Sequence, residues 1–402
     1  MVRLIDLQNV IEHQAERLRI VSTGVKRELL ADLPTNLESH ALIISGIRRC
    51  GKSTLLRQLL SNKMEDVLFL NFDTPLLYNF EMADFQLLDE IIGQSKKSIL
   101  FFDEIQVVAG WELYVRQKLD DGFRLFITGS NASLLSRELG TKLTGRHFTK
   151  ELFPFSLEEF CRFYNAEKNE KATERYLSEG GFPEYLKTQN PEILSLLTED
   201  IVHRDVAVRH NIRDVSSLKR LLSYLATNVG NLVSATKLTQ TLGIKSSATI
   251  LEYFSFFEQS YMLYLMPKFS YSEKVQMRNP RKIYLVDNGL INAISASFNL
   301  DLGRKLENAV FISLRRKYAD IFYYNENGKE CDFVVFYKQK PIKVMQVCYE
   351  VNAENVEREQ TGLLDAMDFF QFNEGTIITM MQTDKVIIGN KTIVMIPFHE
   401  MF

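Results

Sequence analysis

Residues 46–54 read Gly-Ile-Arg-Arg-Cys-Gly-Lys-Ser-Thr. The stretch fits the pattern G-x-x-x-x-G-K-[ST] at every fixed position, which is typical of a loop that binds phosphate groups. It follows a short apolar run suited to a buried strand, 41–45, and it leads into a helical pattern, 55–60. Strand, loop and helix occur in the order that lets backbone N–H groups converge on phosphate oxygens. The stretch therefore predicts a site for a nucleoside triphosphate.

The positions of this loop carry separate expectations. The ammonium of Lys52 is expected to reach the β- and γ-phosphates, and the hydroxyl of Ser53 to bind Mg²⁺. The other expected contacts to the nucleotide are Gly46, Ile47, Arg48, Arg49, Cys50, Gly51 and Thr54. The alternative interpretation is a chance glycine-rich turn before a helix. If the motif is functional, ATP and Mg²⁺ are the cofactors to expect.

Two acids end a second apolar run. Residues 98–102 read Ser-Ile-Leu-Phe-Phe and lead directly to Asp103 and Glu104. Because the carboxyl ends of parallel strands meet at one edge of a sheet, this strand would bring both carboxylates to the phosphates. We assign Asp103 to Mg²⁺ and Glu104 to the attacking water. A strand that simply ends in solvated acids is the alternative, but the two motifs together predict a Mg²⁺-dependent ATPase.

Two further places are candidates for contact with the γ-phosphate. The apolar run 124–128 leads to Ser130 and Asn131, whose polar groups could sense that phosphate. The alternative is that they cap a helix over 132–139. Arg146 precedes the next strand and is a candidate arginine finger, in cis or in trans. Its alternative is an ordinary surface arginine.

Length and composition bound the remaining possibilities. A chain of 402 residues predicts two to four domains, and 46% hydrophobic with 25% charged residues is typical of a globular protein. The net charge of −3 gives no overall attraction to nucleic acid. The four cysteines form no C-x-x-C pair, which favours a reducing compartment. Neither a signal peptide nor a membrane span is evident, so we expect a cytoplasmic protein without membrane contact.

The middle of the chain predicts helices. Residues 156–212 show helical periodicity and polar breaks, which predicts a helical lid behind the nucleotide. Residues 213–272 contain three helical patterns and then an apolar run, an order that resembles a winged helix. The candidate phosphate contacts, if that region binds DNA, are Lys219, Lys237 and Lys245. Its presumed recognition helix is poor in cations, however, so docking of a partner protein is the alternative.

The last part, 273–402, resembles a restriction-endonuclease-like fold. Glu307 lies in a helical pattern, and Asp332 and Gln346 lie in strand patterns. Enzymes of that type place a lysine two residues after the Gln position, where this chain has Cys348. A thiol is mostly protonated at neutral pH and brings no positive charge. Lys343 does not share the strand parity of Gln346. We therefore predict a degenerate, inactive nuclease-like domain.

Several stretches together resemble one family. They are GIRRCGKSTLL at 46–56, ILFFDEIQ at 99–106, ITGSNASLLS at 127–136, LTGRHFTKELFPFSLEEF at 143–160 and EGGFPEYL at 179–186. The chain resembles prokaryotic AAA+-type P-loop ATPases that carry a C-terminal domain of unknown function. The resemblance implies a three-layer α/β core that binds nucleotide. It also implies that the turn at 180–183 lies near the base, with Phe182 against adenine; a plain helix connector is the alternative.

The predicted architecture is thus an α/β, three-layer P-loop NTPase core followed by three further parts. The parts are a core with an N-terminal helical arm at 1–155, a helical lid at 156–212, a winged-helix-like domain at 213–272 and the nuclease-like domain at 273–402. The predicted function is ATP hydrolysis that moves the C-terminal parts, with DNA, a protein or a second copy of the chain as partner. The alternatives are a non-hydrolysing nucleotide switch and an ATPase-linked DNA nuclease.

Overall fold

The computed structural model describes residues 2–20, 23–34, 37–132, 143, 145–295 and 301–402. The chain divides into two compact units, Met1–Phe153 and Pro154–Phe402. Most of the helix predicted at 132–139 lies outside the described residues. In the part of the chain that is described, no helix combines the length and the apolar character needed to cross a bilayer.

The first unit contains a parallel sheet. Its strands are β1 (Ala41–Ser45), β2 (Val67–Asn71), β3 (Ile99–Asp103), β4 (Arg124–Gly129) and β5 (His147–Glu151). Their order within the described residues is β2-β3-β4-β1-β5. β1 and β3 are buried along their whole length, which explains why both read as uninterrupted apolar runs. Because all neighbours are parallel, the carboxyl ends of β1, β3 and β4 share one edge. The predicted α/β core is confirmed.

Helices of the first unit are α1 (Leu4–Ile20), α2 (Lys52–Leu60), α3 (Phe85–Gln94) and α4 (Trp111–Asp120). α1, the predicted N-terminal arm, packs along the edge strand β2. There the side-chain amide of Gln14 pairs with the backbone of Asn71. Its Oε1 accepts from the Asn71 N–H at 2.7 Å, and its Nε2 donates to the Asn71 carbonyl at 3.1 Å. Leu7 and Val10 join the apolar core, so α1 is an integral part of this unit.

The second unit begins with helices joined by short turns. They are α5 (Leu157–Tyr164), α6 (Glu170–Glu179), α7 (Pro183–Thr188), α8 (Glu192–Asp200) and a π-helical segment, Ile201–Val208. α5 starts with a capping box in which the side chains of Ser156 and Glu159 accept from each other's backbone N–H. The range predicted as a lid is therefore helical, as expected from its periodicity.

A small antiparallel sheet follows. The elements are α9 (Val215–Thr227), β6 (Leu232–Val233), α10 (Ala235–Leu242), α11 (Ser247–Gln259), β7 (Leu263–Met266), α12 (Glu273–Arg278) and β8 (Arg281–Leu285). β8 lies between β6 and β7 and runs antiparallel to both. The sequence predicts residues 282–287 as part of the last domain, 273–402. The backbone pairing of β8 with β7 places that strand in this sheet, so the predicted boundary after 272 divides hydrogen-bonded strands.

A mixed sheet fills the end of the chain. The elements are α13 (Asn288–Ile294), α14 (Leu302–Arg315), β9 (Asp320–Glu326), β10 (Lys329–Tyr337), β11 (Lys340–Val347), α15 (Val356–Phe370), β12 (Glu374–Thr379), β13 (Asp384–Ile388) and β14 (Lys391–Pro397). The strand order among the described residues is β13-β14-β12-β11-β10-β9. β9, β10 and β11 are antiparallel, whereas β11, β12 and β14 are parallel. α15 packs across β10, β11 and β12 and buries Leu363 and Met367 between helix and sheet.

Candidate functional site

The phosphate loop joins β1 to α2 at the carboxyl edge of the parallel sheet. Gly46 has φ 153°, and a Cβ built there would lie 2.1 Å from the carbonyl oxygen of Leu152. A side chain at this position would therefore collide with backbone. Gly51 has φ 101° and directly precedes α2. Arg49 is also left-handed, with φ 63°, which is uncommon outside glycine. The loop thus has the tight turn that its sequence predicted.

The side chain of Lys52 folds back over this loop. Its Nζ donates to the carbonyl oxygens of Gly46 and Ile47, both at 3.0 Å. It also lies 3.9 Å from Oε1 of Glu104. The residue is only 6% exposed. The ammonium is therefore already placed within the turn, where phosphate oxygens would replace the carbonyl acceptors.

Asp103 contacts the loop and both neighbouring strands. Its Oδ2 accepts from the Ser53 hydroxyl at 2.9 Å and from Nδ2 of Asn71 at 3.1 Å. Its Oδ1 accepts from the Thr128 hydroxyl. Burial, and then the charge of Glu104, raises the pKa of Asp103 to about 6. A divalent cation beside it would favour the ionised carboxylate. The two residues predicted to bind Mg²⁺, Ser53 and Asp103, are in direct contact.

Glu104 has a left-handed backbone, with φ 55°. Such conformations cost a non-glycine residue about 1 kcal/mol or more and concentrate at functional sites. Its Oε2 accepts from the backbone N–H and the hydroxyl of Ser130, both at 3.1 Å, and from the side-chain amide of Gln106. The carboxylate of the predicted water-orienting residue is thus held against the end of β4.

Ser130 and Asn131 follow β4 at the same edge. They are 1% and 8% exposed. The Ser130 side chain contacts Glu104, whereas the carbonyl of Asn131 accepts from the Ser45 hydroxyl at 3.0 Å. Both residues therefore lie beside the phosphate loop, where a γ-phosphate sensor is expected. The alternative role as a helix cap concerns residues 133–139, which are outside the described residues.

Arg146 is not brought to this site. Its carbonyl accepts from the N–H of Ala41, which is the first residue of β1. The phosphate loop lies at the other end of this strand, because it follows Ser45, the last residue of β1. The two ends of that strand are about 13 Å apart, at roughly 3.3 Å per residue. Its guanidinium pairs with Asp120, with Nη1 at 2.8 Å from Oδ1. Of the two alternatives, cis and trans, this conformation does not support action in cis, because a residue that precedes a parallel strand lies at its amino edge.

Sequence comparisons support the same interpretation of the first unit. A family model described as an AAA domain matches residues 38–161. The uncharacterized protein MJ1544 of Methanocaldococcus jannaschii is 34% identical over 370 residues, which cover 86% of this chain and 81% of the relative. An uncharacterized protein of Haemophilus influenzae is 33% identical over 350 residues, which cover 82% of this chain and 87% of the relative. The chain is an AAA-domain protein of their family.

A second family model, a domain of unknown function (DUF8612), matches residues 170–302 of the AAA-domain protein. Among solved structures, a STAND signal-transduction ATPase of Pyrococcus horikoshii aligns with TM-score 0.27 and 14% identity over 74% of this chain and 46% of its own. A RuvB mutant of Thermotoga maritima aligns with TM-score 0.29 and 16% identity over 66% and 91%. Both alignments have low TM-scores and low sequence identity. Membership of the family therefore rests on the relatives found by sequence.

The nucleotide site of the AAA-domain protein fits a magnesium ion bound together with phosphates. Within the described residues, no group of three or more His, Cys, Asp or Glu side chains is arranged to hold a metal ion. Mg²⁺ commonly uses one or two carboxylates, with water and substrate phosphates as its other ligands. The contact between the Ser53 hydroxyl and the Asp103 carboxylate supplies two oxygen ligands of the required kind.

The Gly-Gly-Phe-Pro turn has a structural role inside the second unit. Phe182 is 1% exposed, so its ring presents no face to a ligand. A Cβ on Gly180 would lie 2.1 Å from Oδ1 of Asp287, and a Cβ on Gly181 would lie 2.3 Å from the carbonyl of Phe155. The N–H of Gly181 donates to Oδ2 of Asp287 at 2.6 Å. The expected stacking of Phe182 on adenine is therefore wrong for this conformation, because the turn packs on a buried carboxylate instead.

The buried carboxyl of Asp287 predicts a pH dependence of stability. Burial raises its pKa to about 7 although backbone N–H groups donate to it. The folded protein therefore keeps this proton up to about pH 7, whereas the unfolded chain releases it near pH 4. Because the folded state binds more protons between these values, Asp287 makes stability fall as pH rises, by up to about 1.4 kcal/mol per pH unit.

Thermal unfolding of the wild type and Asp287→Asn at pH 5 to 8 measures this effect. The variant has no titrating group at the site. The unfolding temperature of the wild type relative to that of the variant should therefore fall as the pH rises. The matched control is Asp301→Asn, which alters an exposed helix cap that accepts from Gly303 at 2.8 Å. A difference between wild type and Asp287→Asn that stays constant over this range would contradict the assignment.

A buried ion cluster joins the two sheets of the second unit. Nζ of Lys282, on β8, lies 2.7 Å from Asp332, 2.8 Å from Glu330 and 3.3 Å from Glu307. The hydroxyl of Tyr284 also donates to Glu307 at 2.7 Å. Burial by itself would lower the pKa of Lys282, but the charges of Asp332 and Glu307 raise it well above its ordinary value. A charged ammonium thus lies between Glu307 and Asp332, two residues by which the last part resembles the restriction-endonuclease-like fold.

The other residues predicted for a nuclease site have different partners. The amide of Gln346 donates to Glu359 at 2.8 Å and accepts from the N–H of Asp332 at 3.1 Å. Burial raises the pKa of the Cys348 thiol to about 11, so it stays neutral. Nζ of Lys343 lies 5.6 Å from the ring centre of Phe402. A cavity of about 670 Å³ adjoins the cluster, and its cationic lining residues are Lys282, Lys329 and Arg358, none of which lies on β11.

Removing the Lys282 ammonium should destabilise the second unit strongly. In Lys282→Met the carboxylates of Glu307 and Asp332, which are 16% and 9% exposed, lose their common partner. Breaking a buried ion pair by removing one partner costs about 3–5 kcal/mol. For a unit of this size the unfolding temperature should fall by roughly 6–20 °C. Differential scanning calorimetry at pH 8 measures the fall.

The control for this prediction is Lys268→Met, which removes a partly exposed ion pair with Glu326 at 3.1 Å. Such pairs contribute about 0–1 kcal/mol, so this variant should unfold near the wild-type temperature. Burial raises the pKa of Glu307 to about 7, so the effect of Lys282→Met should be smaller at pH 5, where that carboxyl carries a proton. Equal unfolding temperatures for the two variants would contradict a stabilising role of Lys282.

Three residues at the nucleotide site, Asn71, Gln106 and Thr128, are not singled out by the sequence patterns, and neither is Arg27, which contacts the backbone of the phosphate loop from outside the site. Asn71 and Thr128 contact Asp103, and Gln106 contacts Glu104. A signal was available for the first two, since each lies at or near the carboxyl end of a strand next to β3. Arg27 lies far from the motif in sequence, and only the fold brings its guanidinium to the carbonyl of Cys50.

Proposed function

We propose that the protein is a Mg²⁺-dependent ATPase. The observation that carries this proposal is the convergence of Lys52, Ser53, Asp103 and Glu104 at one edge of a parallel sheet, with Ser53 and Asp103 2.9 Å apart. These four side chains supply a phosphate-binding cation, two oxygen ligands for magnesium and a carboxylate that can orient water. The AAA domain match over 38–161 covers all of them.

Each side chain has a defined part in hydrolysis. The loop N–H groups and Lys52 would hold the β- and γ-phosphates, and Ser53 with Asp103 would hold the cation. Magnesium, when bound, offsets the negative charge of the phosphates. Glu104 orients the attacking water and favours transfer of its proton. In the structure Ser130 and Gln106 both contact Oε2 of Glu104, so Oε1, which lies 3.9 Å from Nζ of Lys52, is the oxygen that would accept from the water.

The second unit is proposed to respond to the nucleotide state. A winged helix over its middle part is supported by the succession α9, β6, α10, α11, β7 and β8 and by the sheet order β6-β8-β7. The candidate DNA contacts remain Lys219, Lys237 and Lys245. Nζ of Lys219 pairs with Glu199 at 2.5 Å, so DNA phosphate would have to compete with that carboxylate.

The last part is proposed to be a nuclease-like fold without nuclease activity. Glu307, Asp332 and Gln346 all border one cavity, which supports the likeness. The ammonium of Lys282 lies between the carboxylates of Glu307 and Asp332, where a divalent cation would otherwise bind. Its positive charge opposes metal binding there. We therefore propose binding of DNA or of a partner protein as the use of this fold.

Arg146 is proposed to act only in trans. It lies at the amino edge of the sheet, so it could reach the γ-phosphate of a neighbouring copy but not that of its own chain. This role requires a homo-oligomer and release of Arg146 from Asp120. Loss of turnover in Arg146→Ala, restored by mixing with a Lys52→Ala chain, would support it.

Steady-state phosphate release with MgATP, with and without duplex DNA, tests the proposal. An ATPase releases phosphate continuously, and DNA should change the rate if the second unit binds it. Tight nucleotide binding without release under either condition would favour a non-hydrolysing switch. Incubation of supercoiled DNA with Mg²⁺ or Mn²⁺ tests the remaining alternative. Nicking by the wild type that disappears in Asp332→Ala would show that the last domain is an active nuclease and would overturn this part of the proposal.

A further inference from the structure

The residues that end the first unit are attached to the phosphate loop. Leu152 and Phe153 follow β5, and Phe153 is the last residue of this unit. The N–H of Leu152 donates to the carbonyl of Ser45 at 2.7 Å. Its own carbonyl accepts from the thiol of Cys50 at 3.3 Å and lies against Gly46, where a Cβ would collide with it. Leu152, next to the last residue of the unit, thus contacts the phosphate loop near both of its ends, at Gly46 and at Cys50.

Arg27 adds a second connection between the same two segments. Its guanidinium donates through Nη1 to the carbonyl of Cys50 at 2.8 Å and through Nη2 to the carbonyl of Phe153 at 2.7 Å. The residue is 2% exposed. A Cβ on Gly51 would lie 3.1 Å from its Nη1, so the loop packs directly on the guanidinium. One rigid planar group therefore bridges the phosphate loop and the last residue of the unit.

The backbone of Arg27 is attached to the helix that the loop precedes. Its N–H donates to Oε1 of Gln58, on α2, at 3.1 Å. The side-chain amide of Gln58 donates in turn to the carbonyls of Thr23 and Val25, both at 2.7 Å. The segment from Thr23 to Arg27 is thus attached to α2 through the single side chain of Gln58. A shift of the loop relative to α2 would therefore appear at the guanidinium.

Nucleotide binding must alter this loop. Lys52 donates to the carbonyls of Gly46 and Ile47, and these bonds compete with the bonds that Lys52 would make to phosphates. When Lys52 turns to the phosphates, the two carbonyls lose a charged donor, while the bond from the Cys50 N–H to the Ile47 carbonyl at 3.4 Å remains in the turn. Cys50 lies within the same turn, so its carbonyl is placed to carry that change to Arg27.

We propose that Arg27 transmits a conformational change of the phosphate loop, caused by nucleotide binding, to Phe153, the last residue of the first unit. It is a positioning residue that acts through backbone carbonyls and does not itself contact the nucleotide. The inference rests on the proposed nucleotide binding at Lys52. Arginine is required because its fork presents separate N–H groups to two acceptors, whereas a lysine ammonium is a single compact donor group.

Hydrogen exchange of the segment 147–153, which contains the amide of Leu152, provides the test. It is measured in the full chain without nucleotide, with MgADP and with Mg²⁺ and a non-hydrolysable ATP analogue. In the wild type the analogue should change the exchange rate of this segment about threefold or more relative to the free protein. In Arg27→Met and Arg27→Lys the rate should no longer respond, while the calorimetric Kd for the analogue stays within about fivefold of the wild type.

The control variant is Arg116→Met, which removes an exposed arginine from α4 of the same unit and should respond as the wild type does. Variants that bind the analogue and still show the wild-type exchange response would overturn the role of Arg27. A Kd raised more than tenfold in Arg27→Lys, a variant that keeps the charge, would place Arg27 in the binding site and also overturn it. A wild type that does not bind the analogue would instead reject the proposed function itself.

Discussion

Replacing Lys52 by alanine is expected to abolish tight binding of MgATP. The ammonium is 6% exposed and lies within the turn of the phosphate loop, with Gly46 and Ile47 as its present acceptors. Phosphate oxygens would take over these bonds as charge-assisted contacts, each contributing about 1.5–3 kcal/mol. Loss of contacts to both the β- and γ-phosphates should raise Kd roughly 100-fold or more. Isothermal titration calorimetry measures the change.

Lys63→Ala is the control for this experiment, because Lys63 is an exposed lysine shortly after α2 in the same unit. It should bind MgATP with the wild-type Kd. Since Lys52 also donates to the loop in the absence of nucleotide, the unfolding temperature of Lys52→Ala must be compared with that of the wild type. A folded Lys52→Ala protein that binds MgATP with unchanged affinity would reject the site.

Replacing Glu104 by glutamine should preserve binding and remove hydrolysis. Glutamine has nearly the same shape, and its carbonyl oxygen can still accept from Ser130 as the carboxylate does at 3.1 Å. The neutral amide cannot accept a proton from the attacking water. Loss of a general base typically costs 10²–10⁴-fold in rate, so we expect single-turnover phosphate release to slow by about that factor. The Kd for MgATP should stay close to that of the wild type.

Glu90→Gln, an exposed change of the same kind on α3, serves as the control and should hydrolyse ATP at the wild-type rate. Both variants are best assayed at equal occupancy, with protein in excess over ATP. Full activity of Glu104→Gln would remove Glu104 from its role and leave the water to another group. A loss of binding together with activity would assign Glu104 to the nucleotide pocket instead.

The nucleotide site could be predicted because its residues follow local rules. The loop motif fixes the place of Lys52 and Ser53 by its own geometry, and parallel strands bring their carboxyl ends together. Asp103 therefore had to lie near the loop once β1 and β3 belonged to one sheet. The same rule, applied to Arg146, would have placed it at the amino edge, since it precedes β5. The motif alone carries no information on strand direction, so it left action in cis and in trans both open.

Other features depended on contacts that no local pattern encodes. The turn at Gly180 and Gly181 packs on Asp287, which lies more than a hundred residues further along the chain. The cation of the buried ion cluster comes from Lys282 on a neighbouring sheet, whereas the sequence pattern points to Cys348, which follows β11. In both cases the partner is set by the packing of separate elements, and its chemistry becomes visible only when they are brought together.

The pairing of Gln14 with Asn71 bears on the behaviour of the protein at high concentration. Among the described residues β2 is an outer strand of its sheet, and an uncovered outer strand offers backbone groups to which a strand from another molecule can add. The Gln14 amide satisfies both groups of Asn71, as a neighbouring strand would. A chain shortened from its N-terminus beyond Gln14 would lose this cover, and β2 could then pair with a strand of another molecule. Precipitation of such fragments would be explained by the exposed edge of β2.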